Sequence, residues 1–370
     1  MQNKTDFLFP VEGDVLFSVQ DGTEENGVLK AMFTATAKPN SRVFLNHVAA
    51  NEKDGVYSAE IVLDSYRNRV ELYNETSGER QNITVFWFKD GYKKYRLTVD
   101  DVIWSLEDIY RKKYASIFEN PFFAMLRQLH EQYDTQIQMH LYFQNDDNSF
   151  NLTMFPTLYK PEFAANANWL RFTFHAFQDQ PDSPYRDASY DTVMREGRMV
   201  EHEIRRFAGK EVLCNSTAQH WGDSNIYATR AFRALGYKVL QAYFMFDQAG
   251  EPYVSYYLNK QQTHHAATRD FWVDTAEDII FLKDDIIINE VPLAEIQPWL
   301  AEIAARPKDH AFMNLLTHEQ YFYDFYSRYE PDYTQRMHAA VRFVHEHGYR
   351  PAFIGDIAFE QPLSRSVFSQ

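Results

Sequence analysis

The hydrophobic rhythm of this chain changes at Asp90-Gly91, and that change constrains the fold more than any other feature. Before it, the runs Val15-Leu16-Phe17-Ser18-Val19, Tyr57-Ser58-Ala59-Glu60-Ile61-Val62-Leu63 and Ile83-Thr84-Val85-Phe86-Trp87 place apolar groups on one face at every second residue, as half-buried strands do. Asp21-Gly22, Lys38-Pro39-Asn40, Lys53-Asp54-Gly55 and Ser77-Gly78 punctuate them as turns. About six such strands, with no helical period, predict a small antiparallel β-sandwich over 1–92.

After Asp90-Gly91, strands alternate with helices, the pattern of parallel βα units. Asn120-Pro121 caps a helix whose Phe122, Leu126, Leu129 and Tyr133 share one face. A second helix carries Tyr190, Val193, Val200, Ile204 and Phe207 on one stripe, and a third runs over 225–235 to a stop at Gly236. The last is predicted to start at Asp332, with Gln335 completing a capping box, and to end at Gly348. Candidate parallel strands lie at 96–99, 138–143, 170–174, 211–217, 238–246, 311–317 and 351–354, enough to close a barrel; 279–289 reads as a strand or hairpin interrupted by Asp284-Asp285. The fold class expected is therefore α/β, a barrel over 93–370 preceded by an all-β sandwich.

Composition limits the chemistry. A formal charge of −15 disfavours nucleic acid as a partner. The single cysteine, Cys214, permits no intrachain disulfide and no cysteine-rich metal site, so any metal must use His and carboxylates. The first residues, Met1 to Asp6, lack a basic start followed by an apolar stretch, and no segment approaches the roughly 18 apolar residues of a membrane span. A soluble, cytoplasmic chain is expected. Aromatic residues make 16% of the sequence, which suits both tight cores and sugar-stacking surfaces.

In a βα barrel the reactive groups sit just past the carboxyl ends of the strands. Four candidate ends carry such groups: Asp100-Asp101, His175, His220-Trp221-Gly222 and His318. Successive side chains of a strand point opposite ways, so one aspartate can hold a metal while the other accepts a proton; alternatively one caps the next helix, a role that Ser105 and Asp108 also fit. His175 is followed four residues later by Asp179, a second oxygen ligand or an orienting partner. The turn at His220-Trp221-Gly222-Asp223 can aim backbone N–H groups at an oxyanion while the indole walls a sugar pocket. His318 is a candidate general acid. His264-His265 is expected in a solvated loop, His345-Glu346-His347 in a last helical turn and Cys214 in the core, and there is no G-x-S-x-G or H-E-x-x-H motif.

In this order, Thr98-Val99-Asp100-Asp101 resembles the Thr-Phe-Asp-Asp motif of the polysaccharide deacetylase superfamily, also called the chitooligosaccharide deacetylase homology domain. Phe174-His175 resembles its second motif, His220-Trp221-Gly222 its Pro-Tyr-Gly turn, and Leu315-Leu316-Thr317-His318 its final apolar-strand histidine, over 93–357. Residues 1–92 resemble the immunoglobulin-like accessory domains found ahead of carbohydrate-active catalytic domains. The resemblance implies a distorted (β/α)7 barrel and a divalent metal, usually zinc, that removes acetyl groups from N-acetylated sugars. It makes Asp100 the general base, Asp101 and His175 metal ligands and His318 the general acid, with a backbone N–H near Trp221 and Gly222 at the oxyanion. Two departures stand out: Asp179 replaces the second histidine of His-x-x-x-His, and His220 replaces the proline. The third ligand is thus Asp179 or His220. A carbohydrate or small acylated substrate is expected. The competing readings are a barrel glycosidase with two carboxylates ~5 to 9.5 Å apart, and a catalytically silent carbohydrate-binding protein.

Overall fold

The computed structural model describes residues 4–306 and 309–360, a mixed α and β chain with eight α-helices among the described residues. Its contacts divide it into two units.

In the first unit, Asp6–Phe9, Val28–Thr36, Val56–Leu63 and Asn51–Lys53 form one sheet in that order, with Gly22–Glu25 also paired to Val28–Thr36. Val15–Leu16, Glu79–Trp87, Arg67–Asn74, Val43–Leu45 and Val48–Ala49 form the other. The period-two pattern explains the core: Leu29, Phe33, Tyr57, Ile61, Val70, Leu72 and Val85 all turn inward into one cluster. Pairing is not wholly antiparallel, because Val15–Leu16 runs parallel to Phe86-Trp87.

The first unit takes in residues up to Tyr92 and the second opens at Lys93, as expected, but the first unit is not one continuous stretch. Segments 271–280 and 357–360 belong to the first unit, not to the second. The Trp272 indole N–H donates to Glu12 O at 2.9 Å, Val273 N–H to Gly13 O at 2.9 Å, and Tyr66 OH to Ala358 O at 2.9 Å. Gly13, at φ +83°, is required there, since a Cβ would sit 2.0 Å from Val273 O. Strand addition of this kind uses backbone groups, which leave no local mark in the sequence.

The second unit holds strands β1 (Lys94–Val102), β2 (Ile137–Tyr142), β3 (Leu170–Ala176), β4 (Ser216–Thr217), β5 (Val239–Ala242), β7 (Ile286–Ile287) and β8 (Phe312–His318), with residues 281–283 of β6 (Ile279–Lys283). One parallel sheet runs β3-β2-β1-β8-β7 and a second group runs β4-β5-β6. Main-chain bonds link the two groups at both sides. Phe172 N–H donates to Val212 O (2.7 Å) and Cys214 N–H to Phe172 O (3.1 Å), while Asp284 N–H donates to Ala242 O (2.9 Å) and Asp285 N–H to Asn314 O (3.0 Å). The Asp284-Asp285 break therefore lets the chain turn from β5 towards β8.

Helices Pro121–Tyr133, Tyr190–Phe207 and Ile226–Leu235 lie where the apolar stripes predict, the last capped by Asn225 and closed by Gly236 at φ +104°. Three readings are corrected and one helix was missed. Asp332 makes no side-chain cap to Tyr333–Glu346, because its carboxylate pairs with Arg336 at 2.8 Å. His264 and His265 lie on a helix, Lys260–Ala266, started by an Asn259–Gln262 capping box. Helix Leu293–Ala304 was not predicted. At 351–354 only Arg350–Pro351 pairs, beside β1.

Candidate metal centre and catalytic cavity

The carboxyl ends of β1, β3, β5, β7 and β8 and the segment after β4 meet around one cavity of about 420 Å³. Register puts Asp100 directly opposite His318 on neighbouring parallel strands. An irregularity in β1 between Val99 and Val102 holds Asp101 at φ +63°. Strict alternation would send Asp101 away from Asp100; the bulge instead lets both line the cavity. Such a conformation in a non-glycine residue costs about 1–3 kcal/mol and persists where surrounding structure enforces it.

Asp101, His175 and His220 converge. His175 Nε2 lies 3.1 Å from Asp101 Oδ1, His220 Nδ1 lies 3.2 Å from His175 Nε2, and His220 Nδ1 lies 3.3 Å from Asp101 Oδ1. Both imidazoles have their other nitrogen committed. His175 Nδ1–H donates to Ala218 O at 2.7 Å and His220 Nε2–H to Asp179 O at 3.0 Å. The neutral rings therefore turn two lone pairs towards a carboxylate oxygen. Three buried acceptors within 3.3 Å of one another repel unless a cation or a proton sits among them, so these groups could hold a metal ion.

Without an ion, protons take that role. Burial favours a neutral His175, yet Asp100 and Asp101 outweigh it and raise its pKa. Burial likewise pushes Asp101 upward, but hydrogen bonds from His175 and His220 hold it well below the usual carboxylate range.

Asp179 does not join the triad through its side chain. Its carboxylate stands 3.5 Å from His220 Nε2, on the outer side of the ring, with Tyr142 OH 3.1 Å away. Its backbone carbonyl orients His220 instead. Burial and the nearby Asp101 raise the Asp179 pKa. The one Tyr142 hydroxyl proton goes to Asp101, with His220 Nδ1 2.9 Å from the same oxygen, and Tyr142 was not singled out in the sequence.

The Gly222 N–H is not available to an oxyanion, because it donates to Gln219 O at 2.6 Å. Trp221 at φ +68° leaves its indole 49% exposed at the cavity mouth rather than filling it.

Behind Asp100 stands His140, fully buried and also unmarked in the sequence, with Nδ1 2.7 Å from Asp100 Oδ1 although outside hydrogen-bond geometry. Its tautomer is fixed: Gln138 Nε2 donates to His140 Nε2 (2.9 Å) and to Ser216 O (2.8 Å), so the His140 proton is on Nδ1. Burial drives the His140 pKa down to about 4, against the pull of Asp100. Burial raises Asp100 in turn, but His140, His175 and His318 outweigh it and leave it lowered; the pull of His140 acts only where that ring is itself protonated. Asp284, in the same cavity, is pushed well above the usual range by burial and by Asp100. The two carboxyls are thus pushed in opposite directions.

His318 Nδ1 lies 3.0 Å from Asn289 Oδ1, which also accepts from the His318 backbone N–H at 2.9 Å. The amide oxygen is thereby identified, His318 Nδ1 must donate, and Nε2 is left for chemistry. Glu319 accepts from the N–H groups of Ile103, Trp104 and Ser105 at 2.7–3.0 Å, capping helix Trp104–Lys112 from across the unit. Ser105 and Asp108 do not perform that role. Gln219 also lines the cavity, and its buried amide has no hydrogen-bond partner among the described residues, a polar pair that a ligand can satisfy.

No protein-family model and no curated protein matches the chain. A solved structure titled a putative α-galactosidase from Bacteroides fragilis is similar over 95% of this chain and 81% of that one, with a TM-score of 0.26 and 9% identity. That likeness is too slight to bear on fold or activity. Among the described residues, no helix is long and apolar enough to cross a membrane.

Proposed function

We propose that the second unit is a distorted seven-stranded βα barrel acting as a metal-dependent hydrolase of the polysaccharide deacetylase type, and that the first is an immunoglobulin-like accessory domain. The substrate in this reading is an N-acylated sugar or oligosaccharide, and the bond cleaved is the amide C–N bond. The observation that carries it is the meeting of Asp101 Oδ1, His175 Nε2 and His220 Nδ1 with both histidine protons facing outward.

These three residues would hold the cation, and a nitrogen-rich set with one carboxylate suits zinc. When bound, the cation supplies Lewis acidity towards the acyl oxygen and the attacking water. Asp100, ionised beside it, accepts the proton of that water. His318, opposite Asp100 and held by Asn289, delivers a proton from Nε2 to the departing nitrogen. With the Gly222 N–H committed, the Trp221 backbone N–H is the donor this reading assigns to the oxyanion. The orphaned Gln219 amide supports a polar substrate in the same cavity.

The test is acetate release from N-acetylated chitooligosaccharides by zinc-loaded protein. Release that stops with a chelator and returns with metal supports the reading. Cleavage of glycosidic bonds that ignores the chelator would instead establish the glycosidase, and zinc-loaded protein that binds these sugars without turnover would establish the silent binding protein.

A further inference from the structure

Tyr142 ends β2, and β2 lies between the two strands that supply Asp101 and His175. Pairing is interrupted on both flanks of this strand end. On one side Val99 faces Met139 and Val102 faces Leu141, so Asp100 and Asp101 stand against His140 alone. On the other, Leu141 faces Phe174 and Tyr142 faces Ala176, which leaves His175 as an extra residue. Bulges re-aim side chains, and here both bring a group to the tip of β2: Asp101 Oδ1 accepts from the Tyr142 hydroxyl, and the His175 ring lies 5.4 Å from the Tyr142 ring, centroid to centroid.

The buried Tyr142 oxygen has more neighbours than its one proton can serve. That proton goes to Asp101, yet His220 Nδ1 stands only 2.9 Å away. His220 carries its own proton on Nε2, towards Asp179 O, and His175 carries its proton on Nδ1, towards Ala218 O. Asp101 Oδ1, His175 Nε2, His220 Nδ1 and Tyr142 Oη are therefore four converging acceptors that share a single proton. Tyr142 Oη and His220 Nδ1 face each other at hydrogen-bond distance with no hydrogen between them, a repulsive contact in a buried site that a cation relieves. Asp101, His175 and His220 line the catalytic cavity and Tyr142 does not. The phenol thus reaches the group from outside the cavity and leaves the cavity side open to water and substrate.

We propose that Tyr142 is a fourth protein ligand of the cation. On ligation the phenol oxygen exchanges its proton for the cation, and the proton leaves to solvent past Asp179 Oδ1, which lies 3.1 Å from that oxygen and is partly exposed. This rests on the metal site described above and not on the substrate or the bond assigned to it.

The experiment loads the full chain with one equivalent of copper(II), an ion that imidazole and oxygen donors hold tightly and whose bound phenolates absorb visible light by charge transfer. Zinc affinity is measured alongside by competition with a chromophoric chelator. The parent protein is expected to show the charge-transfer band, with phenolate ring modes enhanced in its resonance Raman spectrum. Tyr142→Phe should lose the band and bind zinc roughly 100-fold or more weakly, beyond the usual range for a merely supporting contact. Tyr142→His should also lose the band, which keeps the test open should the phenylalanine protein fail to fold. Copper retained by the parent without the band overturns the proposal, as does a band that survives both substitutions or a zinc affinity that Tyr142→Phe leaves unchanged. The band in a protein that releases no acetate keeps Tyr142 as a ligand and removes the hydrolase reading. Metal-dependent acetate release without the band does the reverse.

Discussion

His175 Nε2 lies 3.1 Å from Asp101 Oδ1 while the other nitrogen of that ring donates to the carbonyl of Ala218. A neutral His175 therefore opposes a lone pair to a carboxylate in a buried site, an arrangement stable only with a positive species between or on them. His220 repeats the arrangement through Asp179 O, so that the two rings and Asp101 could hold a cation.

Replacing Asp100 should separate chemistry from metal binding. Asp100→Asn keeps the shape but cannot accept the proton, so kcat is expected to fall roughly 10²- to 10⁴-fold with metal content unchanged. Loss of metal together with activity would place Asp100 among the ligands instead.

Asn289 acts through His318. Asn289→Ala removes the acceptor that fixes the imidazole, and such supporting contacts are typically worth about 10- to 100-fold. The expected result is a lower kcat with a shifted alkaline limb of the pH profile, where a general acid loses its proton, and little change in KM; an unchanged alkaline limb would deny His318 the role of acid.

The buried His140 should make the metal-free protein acid-sensitive. Its folded pKa of about 4 lies below the ordinary value of 6.5. Between those limits the unfolded chain binds the extra proton, so stability rises with pH, and its contribution is lost as pH falls from 6.5 to 4. The maximum is roughly 3 kcal/mol. Urea unfolding at pH 4.5 and 7.5 should show a smaller difference for His140→Gln than for the parent protein.

Glu319 holds three backbone donors at one helix start. Glu319→Ala leaves them without that acceptor and is expected to cost about 2–3 kcal/mol. Glu319→Gln, which keeps an acceptor, should cost less in the same denaturation assay.

Much of this arrangement is legible in sequence where the signal is local. Period two exposed the strands of the first unit, the Asn120 and Asn225 caps fixed two helix starts, and strand ends pointed to Asp100, Asp101, His175, His220 and His318. What escaped was set by distant partners. Choosing His220 over the Asp179 side chain requires knowing which way each ring nitrogen points, and Glu319 replaces Ser105 and Asp108 as a cap from more than two hundred residues away. One missed signal was present: Gln138, His140 and Tyr142 are polar or hydroxyl-bearing residues at period two in a buried strand, which puts all three on one face.

Zinc stoichiometry tests the central claim most directly. Protein supplied with zinc and freed of excess should retain one ion per chain by elemental analysis; His175→Ala and His220→Ala should lose it, and Asp179→Ala should keep it. A parent protein that retains none, or a His175→Ala protein that retains as much as the parent, would contradict the account.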